Sequence, residues 1–278
     1  MIVVGGFVAA IFITVVIKLE NKPAKSKPLI TTKTAALAAT TKGPIEGDTQ
    51  QINPEQLLPE SGDNALLLAN KILEALPPPT PDCQKEVCVA LTFDDGPNPD
   101  SSNKIMDALE NNFAHATFFE IGNKVAGNSA ILQRMQQDGD DIGNHSWSHP
   151  SFLKLTSDQI TQQVDRTQQA IAEAGVPLPH LFRPPYGDFL LAMQKDIKLA
   201  VILWNVDPKD WAYTDPAKIA KSVEKQIKPG AIIVMHDKPA TAAAMDKILK
   251  DLKPRYRFVT VTELLNLQPT TKGVYIGR

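Results

Sequence analysis

The chain has 278 residues, 43% of them apolar and 22% charged, with a formal net charge of −2. That length supports a sizeable core, in one large domain or two modest ones. The near-balanced charge excludes nucleic acid and anionic lipid as bulk electrostatic partners, and no protein partner is indicated.

Residues 2–17 carry no charge and are dominated by Ile, Val, Ala and Phe. Such a segment is directed to a membrane, although its 16 residues fall short of the roughly 20 that span a bilayer. The positive start of a signal peptide is missing, and Ala35-Ala36-Leu37-Ala38 lies too far from the apolar run for a cleavage site. A retained anchor is the favoured reading and a secreted domain the alternative. Lys18, Lys22, Lys25 and Lys27 oppose export, because the positive-inside tendency would hold that flank in the cytoplasm. Residues 18–82 are rich in Pro, Thr, Ala and Lys and read as a tether. Within it, Leu66, Leu67, Ile72, Leu73 and Leu76 predict a short helix over 64–76, stopped by Pro77-Pro78-Pro79.

Cys83 and Cys88 are five positions apart, which is neither zinc-ribbon nor C-x-x-C spacing. A local disulfide is predicted, which requires Cys83 to sit in a turn before a strand. Two unpaired thiols become the better reading if the domain is cytosolic. From here short apolar runs alternate with helical segments, the pattern of βα units around a parallel sheet or barrel. Seven strands are predicted: 87–93, 116–121, 140–142, 181–182, 201–206, 231–235 and 258–261. The clearest helix spans 157–174, with Ile160, Val164, Thr167 and Ile171 on one face, Thr156 and Gln159 as a capping box, and Gly175 as terminator. Asp215-Pro216 opens another, with Ile219, Val223 and Ile227 as its buried stripe.

Several strand ends carry chemistry. The run from Val87 delivers Asp94 and Asp95 before Gly96-Pro97, which is either a site or an ordinary Asp-rich turn. His145 and His149 are four apart and common by chance, but with Asp95 they form a carboxylate and two imidazoles, a usual zinc set with a position left for water. Arg183-Pro184-Pro185-Tyr186 reads as a rigid loop in which Arg183 would pair with a carboxylate base and the Tyr186 N–H would suit an oxyanion. His236 ends a strand and would become a tuned general acid if it meets Asp210, while Trp211 would wall a pocket. A capped histidine and a core tryptophan are the plainer alternatives. His115 and His180 are read as structural or exposed.

Thr92-Phe93-Asp94-Asp95-Gly96, His145-Ser146-Trp147-Ser148-His149, Arg183-Pro184-Pro185-Tyr186, Asp207-Pro208-Lys209-Asp210-Trp211 and Val234-Met235-His236 resemble, in order, the five motifs of the NodB-homology polysaccharide deacetylases, carbohydrate esterase family 4. The resemblance covers residues 88–267. It implies an α/β fold, a distorted (β/α)7 barrel over 83–267, with 268–278 left as a tail. It also implies metal-dependent removal of acetyl groups from N-acetylglucosamine-containing polysaccharide, either peptidoglycan or chitin-like. Carried over, Asp94 is the base, Asp95, His145 and His149 are the metal ligands, and His236 is the acid. Arg183 orients Asp94, Asp210 tunes His236, and Trp211 and Val234 line the acetyl pocket. Val234 stands where the family more often has Leu.

The donor set suits zinc, with cobalt, nickel and manganese as alternatives. The expected partners are an N-acetylated glycan and, through residues 2–17, a membrane, with the catalytic domain outside the cytoplasm. Two other readings remain open: a barrel hydrolysing a small non-sugar amide, and a catalytically silent wall-binding module.

Overall fold

The structure, a computed structural model, describes residues 80–278. The expected membrane segment, nearly all of the tether and the helix over 64–76 lie outside the described residues. Among the described residues no helix is long and apolar enough to cross a membrane.

The architecture is an α/β curled parallel sheet with helices packed on it. Its strands are β1 (Cys88–Gly96), β2 (Ala116–Glu120), β3 (Asp141–Asn144), β4 (Leu181–Phe182), β5 (Ala200–Ile202), β6 (Ile232–His236), β7 (Arg257–Phe258) and β8 (Gly273–Tyr275). The sheet runs β6-β1-β2-β3-β4-β5-β8, and β7 pairs only with β1. One bridge, Val206 with Ile233, links the chain after β5 back to β6. The expected seven-stranded ring is therefore replaced by six strands, that single bridge and two outlying strands.

Both outlying strands depart from expectation for local reasons. The seventh strand ends at Phe258, because Thr260 and Glu263 form a capping box that starts a helix at Val261. The stretch expected as a tail carries β8, in which Gly273, Val274 and Tyr275 pair with Ala200, Val201 and Ile202. The polar run Gln268–Lys272 hides the short apolar pattern that follows it.

β1 lies between β6 and β2, and its run Cys88–Leu91 is apolar and buried because both faces are covered, with polar residues gathering toward its C-terminal end. Alternation divides its residues between two cores. Val89, Leu91 and Phe93 pack outward among Ile105 and Met106 of helix α1 (Ser102–Glu110) and neighbouring helices. Cys88 and Ala90 pack inward with Ile202, Ile232 and Val259. Cys83 lies in a turn, and its Sγ is 2.00 Å from that of Cys88, with the two Cα atoms 5.4 Å apart.

Helix α2 (Gly122–Val125) and helix α3 (Ser129–Asp138) follow β2. Helix α4 (Ser157–Glu173) buries Ile160, Val164, Thr167 and Ile171, has the Thr156–Gln159 capping box, and is followed by Gly175 at φ 82°. After α5 (Gln194–Ile197), helix α6 (Pro216–Gln226) is capped by Asp215, whose side chain accepts from the Ala217 N–H at 2.9 Å. Helix α7 (Pro239–Leu252) follows β6 and α8 (Val261–Leu265) follows β7. Because the ladder is parallel, every strand presents its C-terminal end at the same rim. The Thr156→Ala variant should unfold with about 1 kcal/mol less stability in urea, through loss of the α4 cap.

Candidate functional site

The rim gathers the predicted side chains from four strand ends. Asp94 and Asp95 close β1, His145 follows β3, Arg183 follows β4, and His236 ends β6 opposite Asp94 in the ladder. Asp94, Asp95, His145 and His236 border an open pocket of about 430 Å³, to which Tyr186, Trp211 and Val234 also contribute, while Arg183 lies buried behind Asp94.

The two carboxylates diverge because β1 is irregular at this point. Asp94 is in register with Phe119 and Gly96 with Glu120, so Asp95 is an extra residue, held at φ 71°. This bulge turns Asp95 out of the ladder. Asp94 stays in line and is buried. Its Oδ1 accepts from Arg183 Nη1 at 2.8 Å, while its Oδ2 lies 3.8 Å from His145 Nε2.

Arg183 has no solvent exposure. Its guanidinium also donates to Thr92 Oγ1 at 2.6 Å, to the Ile202 carbonyl at 3.0 Å and to the Leu203 carbonyl at 3.3 Å, and it stacks on Phe119. Burial pushes its pKa down, and the charge of Asp94 and its hydrogen bond oppose that. A guanidinium remains protonated under such conditions.

His145 donates from Nδ1 to the Arg183 carbonyl at 2.7 Å. Because a carbonyl can only accept, this bond fixes the neutral tautomer that leaves a lone pair on Nε2. That Nε2 lies 3.7 Å from Asp95 Oδ1, and His149 Nε2 lies 3.3 Å from the same oxygen. Donor atoms of the three residues fall within 4.8 Å of one another. Asp95 Oδ1 is buried without a hydrogen-bond partner among the described residues. Burial and the neighbouring His145 lower the His149 pKa, against the pull of Asp95, which favours the neutral ligand form. A buried unpartnered carboxylate oxygen facing two imidazole nitrogens is a donor set that fits one divalent transition-metal ion.

On the opposite wall His236 Nδ1 and Asp210 Oδ1 are 2.8 Å apart. Asp210 Oδ2 accepts from the His236 N–H at 2.8 Å and from Thr241 Oγ1 at 2.6 Å. Burial alone would raise the Asp210 pKa, but these bonds and the charge of His236 outweigh it and the net shift is downward. Burial likewise acts to lower His236, yet its bond to Asp210 and the nearby carboxylates raise it overall.

Tyr186 sits at φ 62° with its ring edge-on to His149, centroids 4.6 Å apart. Its N–H donates to no acceptor among the described residues. Tyr186 and Trp211 are both more than half exposed and stand at the mouth, whereas Val234 is buried at the pocket wall. His115 and His180 do not line this pocket.

Three lining residues received no role in the sequence reading: Trp204, Asp207 and Lys238. Trp204 and Asp207 belong to the fifth-strand motif, and Lys238 lies just past His236-Asp237, so position after a strand end was the available signal. Glu120 was also missed, because it reads as the end of an apolar run. Its carboxyl is fully buried, with neither oxygen partnered among the described residues, and burial, then the charge of Asp237, pushes its pKa well up.

A family model described as polysaccharide deacetylase matches residues 82–201. A peptidoglycan-N-acetylglucosamine deacetylase of Bacillus cereus is 37% identical over 65% of this chain and 89% of its own length. The chain belongs to the polysaccharide deacetylase family. PdaC of Bacillus subtilis, a peptidoglycan-N-acetylmuramic acid deacetylase, is 41% identical over 63% of this chain, but the match spans only 38% of PdaC. The solved PdaC structure superposes with a TM-score of 0.65 at 39% identity, covering 67% of this chain and 93% of that one. A family 4 acetyl xylan esterase from Clostridium thermocellum, solved with a cobalt ion, gives a TM-score of 0.64 at 33% identity, covering 68% and 98%.

Two measurements check this geometry. Arg183→Met should cost about 3 kcal/mol or more of unfolding free energy, since it leaves the Asp94 carboxylate buried without its partner. Asp210→Asn should lower the His236 titration midpoint followed by NMR, because the anion that stabilises the imidazolium is gone.

Proposed function

We propose that the domain that carries this pocket is a metal-dependent hydrolase that removes N-acetyl groups from N-acetylglucosamine-containing polysaccharide, peptidoglycan or chitin-like, releasing acetate and leaving a free amine. One observation carries the reading. Asp94, paired behind the wall with Arg183, the Asp95–His145–His149 donor set, and His236, paired behind the wall with Asp210, border one open pocket. Membership of the deacetylase family supports the same class of reaction. Peptidoglycan is the favoured polymer because PdaC and the B. cereus relative carry peptidoglycan deacetylase names.

Asp95, His145 and His149 would hold the metal, with zinc as first choice and cobalt, nickel or manganese as alternatives. When bound, such an ion supplies Lewis acidity toward water and the acetyl carbonyl.

Asp94 is the base. Arg183 occupies its Oδ1 and leaves Oδ2 facing the pocket side, where it takes a proton from the attacking water. The water oxygen bonds to the acetyl carbon, and the carbonyl pair moves onto oxygen. The Tyr186 N–H donates to that developing charge. His236 then gives the proton on Nε2 to the sugar nitrogen as the carbon–nitrogen bond breaks, while Asp210 holds Nδ1 and stabilises the imidazolium. The raised His236 pKa keeps that acid protonated nearer to neutrality. Trp211 and Val234 enclose the acetyl methyl, and the exposed mouth leaves room for a polymer on either side. The substrate places the domain outside the cytoplasm, anchored through residues 2–17 or secreted.

Acetate release from chitooligosaccharides and from peptidoglycan, with and without a chelator, tests the reading. Release from at least one glycan that stops on chelation and returns with zinc is expected. Silence on every acetylated glycan with zinc bound overturns it. Asp94→Asn should abolish turnover while calorimetry still detects zinc binding, and unchanged acetate release from that variant would remove Asp94 from the role of base.

A further inference from the structure

Lys238 is the only Lys or Arg among the described residues lining the pocket. The carboxylates that share the lining with it are Asp94, Asp95 and Asp207. It is placed by the fold rather than by chance of a flexible loop. β6 ends at His236, Asp237 donates its N–H to the Asp94 carbonyl at 2.8 Å, and Lys238 is the residue on which α7 begins, at φ −137° and ψ 151°. The side chain is partly buried, and its ammonium makes no ion pair or hydrogen bond with any described residue. Asp207, the one carboxylate in the lining that belongs to neither the Arg183 pair nor the donor set, instead accepts from the Lys209 N–H at 2.8 Å.

An ammonium at a pocket wall without a partner gains by meeting an anion, and a charge-assisted hydrogen bond is about twice as strong as one between neutral groups. An uncharged chitin-like chain offers it only hydroxyl and carbonyl oxygens. A glycan whose amino sugar carries an ether-linked carboxylic acid offers the missing charge within a sugar's width of the scissile acetamide. We propose that Lys238 is a specificity-determining residue that binds a carboxylate on the glycan, so that the pocket prefers acidic N-acetylated polymers to uncharged ones. This rests on the deacetylase reading and names the substrate class within it.

The test compares glycan strands freed of peptide, which keep their sugar carboxylates, with the same strands after those carboxyls are converted to amides. For the wild-type chain kcat/KM should favour the acidic strands. In Lys238→Met the ratio of the two values should fall about tenfold, the size expected for losing one charge-assisted bond, with the change in KM rather than kcat. Lys238→Arg should retain most of the preference. A ratio unchanged in Lys238→Met overturns the proposal, as does an equal loss on both strands, which would mean that the ammonium only offsets the pocket carboxylates. Calorimetric binding of both strands to the zinc-loaded wild type and Lys238→Met reads the same contact without turnover. Should no glycan release acetate, a binding preference that disappears in Lys238→Met still supports the contact while the hydrolase reading fails. Equal affinities overturn the contact whether or not acetate is released.

Discussion

Arg183 is the constraint on which the rest of the site depends. Its guanidinium is fully buried, and burying such a charge without partners would cost several kcal/mol. Donors reach Asp94 and Thr92 on β1 and the carbonyls of Ile202 and Leu203 at the end of β5. Its main chain is committed as well, since its N–H donates to the Asn144 carbonyl and its own carbonyl accepts from His145. One residue therefore sets the direction of the Asp94 carboxylate and the tautomer of His145. Neither can shift without loosening the other. Stability and site geometry are coupled here because the same hydrogen bonds serve both.

Around that fixed pair, the two halves of the pocket are tuned in opposite senses by similar means. His149 is pushed toward its neutral form by burial and by His145, which suits a ligand. His236 is pushed toward its charged form because Asp210, itself held ionised by three hydrogen bonds, sits on Nδ1. Two histidines on one rim are thus shifted in opposite senses, because burial prevails over the nearby Asp95 at His149 while the hydrogen-bonded Asp210 prevails over burial at His236. The reaction proposed for the pocket requires that difference, since a ligand must offer a lone pair and an acid must offer a proton.

Much of this was legible in the sequence because it follows from local pattern. Strands ending in polar residues mark the rim, the α4 stripe and capping box are visible in Thr156–Ile171, and five motifs in order are more specific than any one of them. What escaped depended on competition or on contacts distant in sequence. The strand after Phe258 lost to the Thr260 cap, and β8 was concealed by the polar run before it. Glu120 reads as an ordinary strand end, and only the fold puts it beside Gly96 and Asp237. Lys238 differs from many exposed lysines only in the pocket it faces, which no spacing rule reveals.

Alternation along a strand is enough to send neighbouring side chains to opposite faces, yet it does not separate Asp94 from Asp95. Alternation alone would have sent Asp95 outward into the layer of Phe93 and the helices. The bulge at φ 71° instead keeps both carboxylates at the rim, aimed differently. Ser146, His149 and Tyr186 are also left-handed, at φ 68°, 58° and 62°. Each such residue costs about 1 kcal/mol or more; Asp95, His149 and Tyr186 line one pocket, and Ser146 directly follows its His145. Phe113, Lys198, Lys209 and Asn266 are left-handed elsewhere in the fold, so half of the non-glycine residues of this kind among those described fall in the loops that build the site. The strain there is sustained by what surrounds it: the Ser146 hydroxyl accepts from the His149 N–H at 3.0 Å, the Asn144 side chain accepts from the Ser146 N–H at 2.9 Å, and Lys124 holds the Asp95 carbonyl at 2.7 Å. Relaxing any one of these residues to an extended conformation would relieve backbone strain and turn a donor away from the pocket.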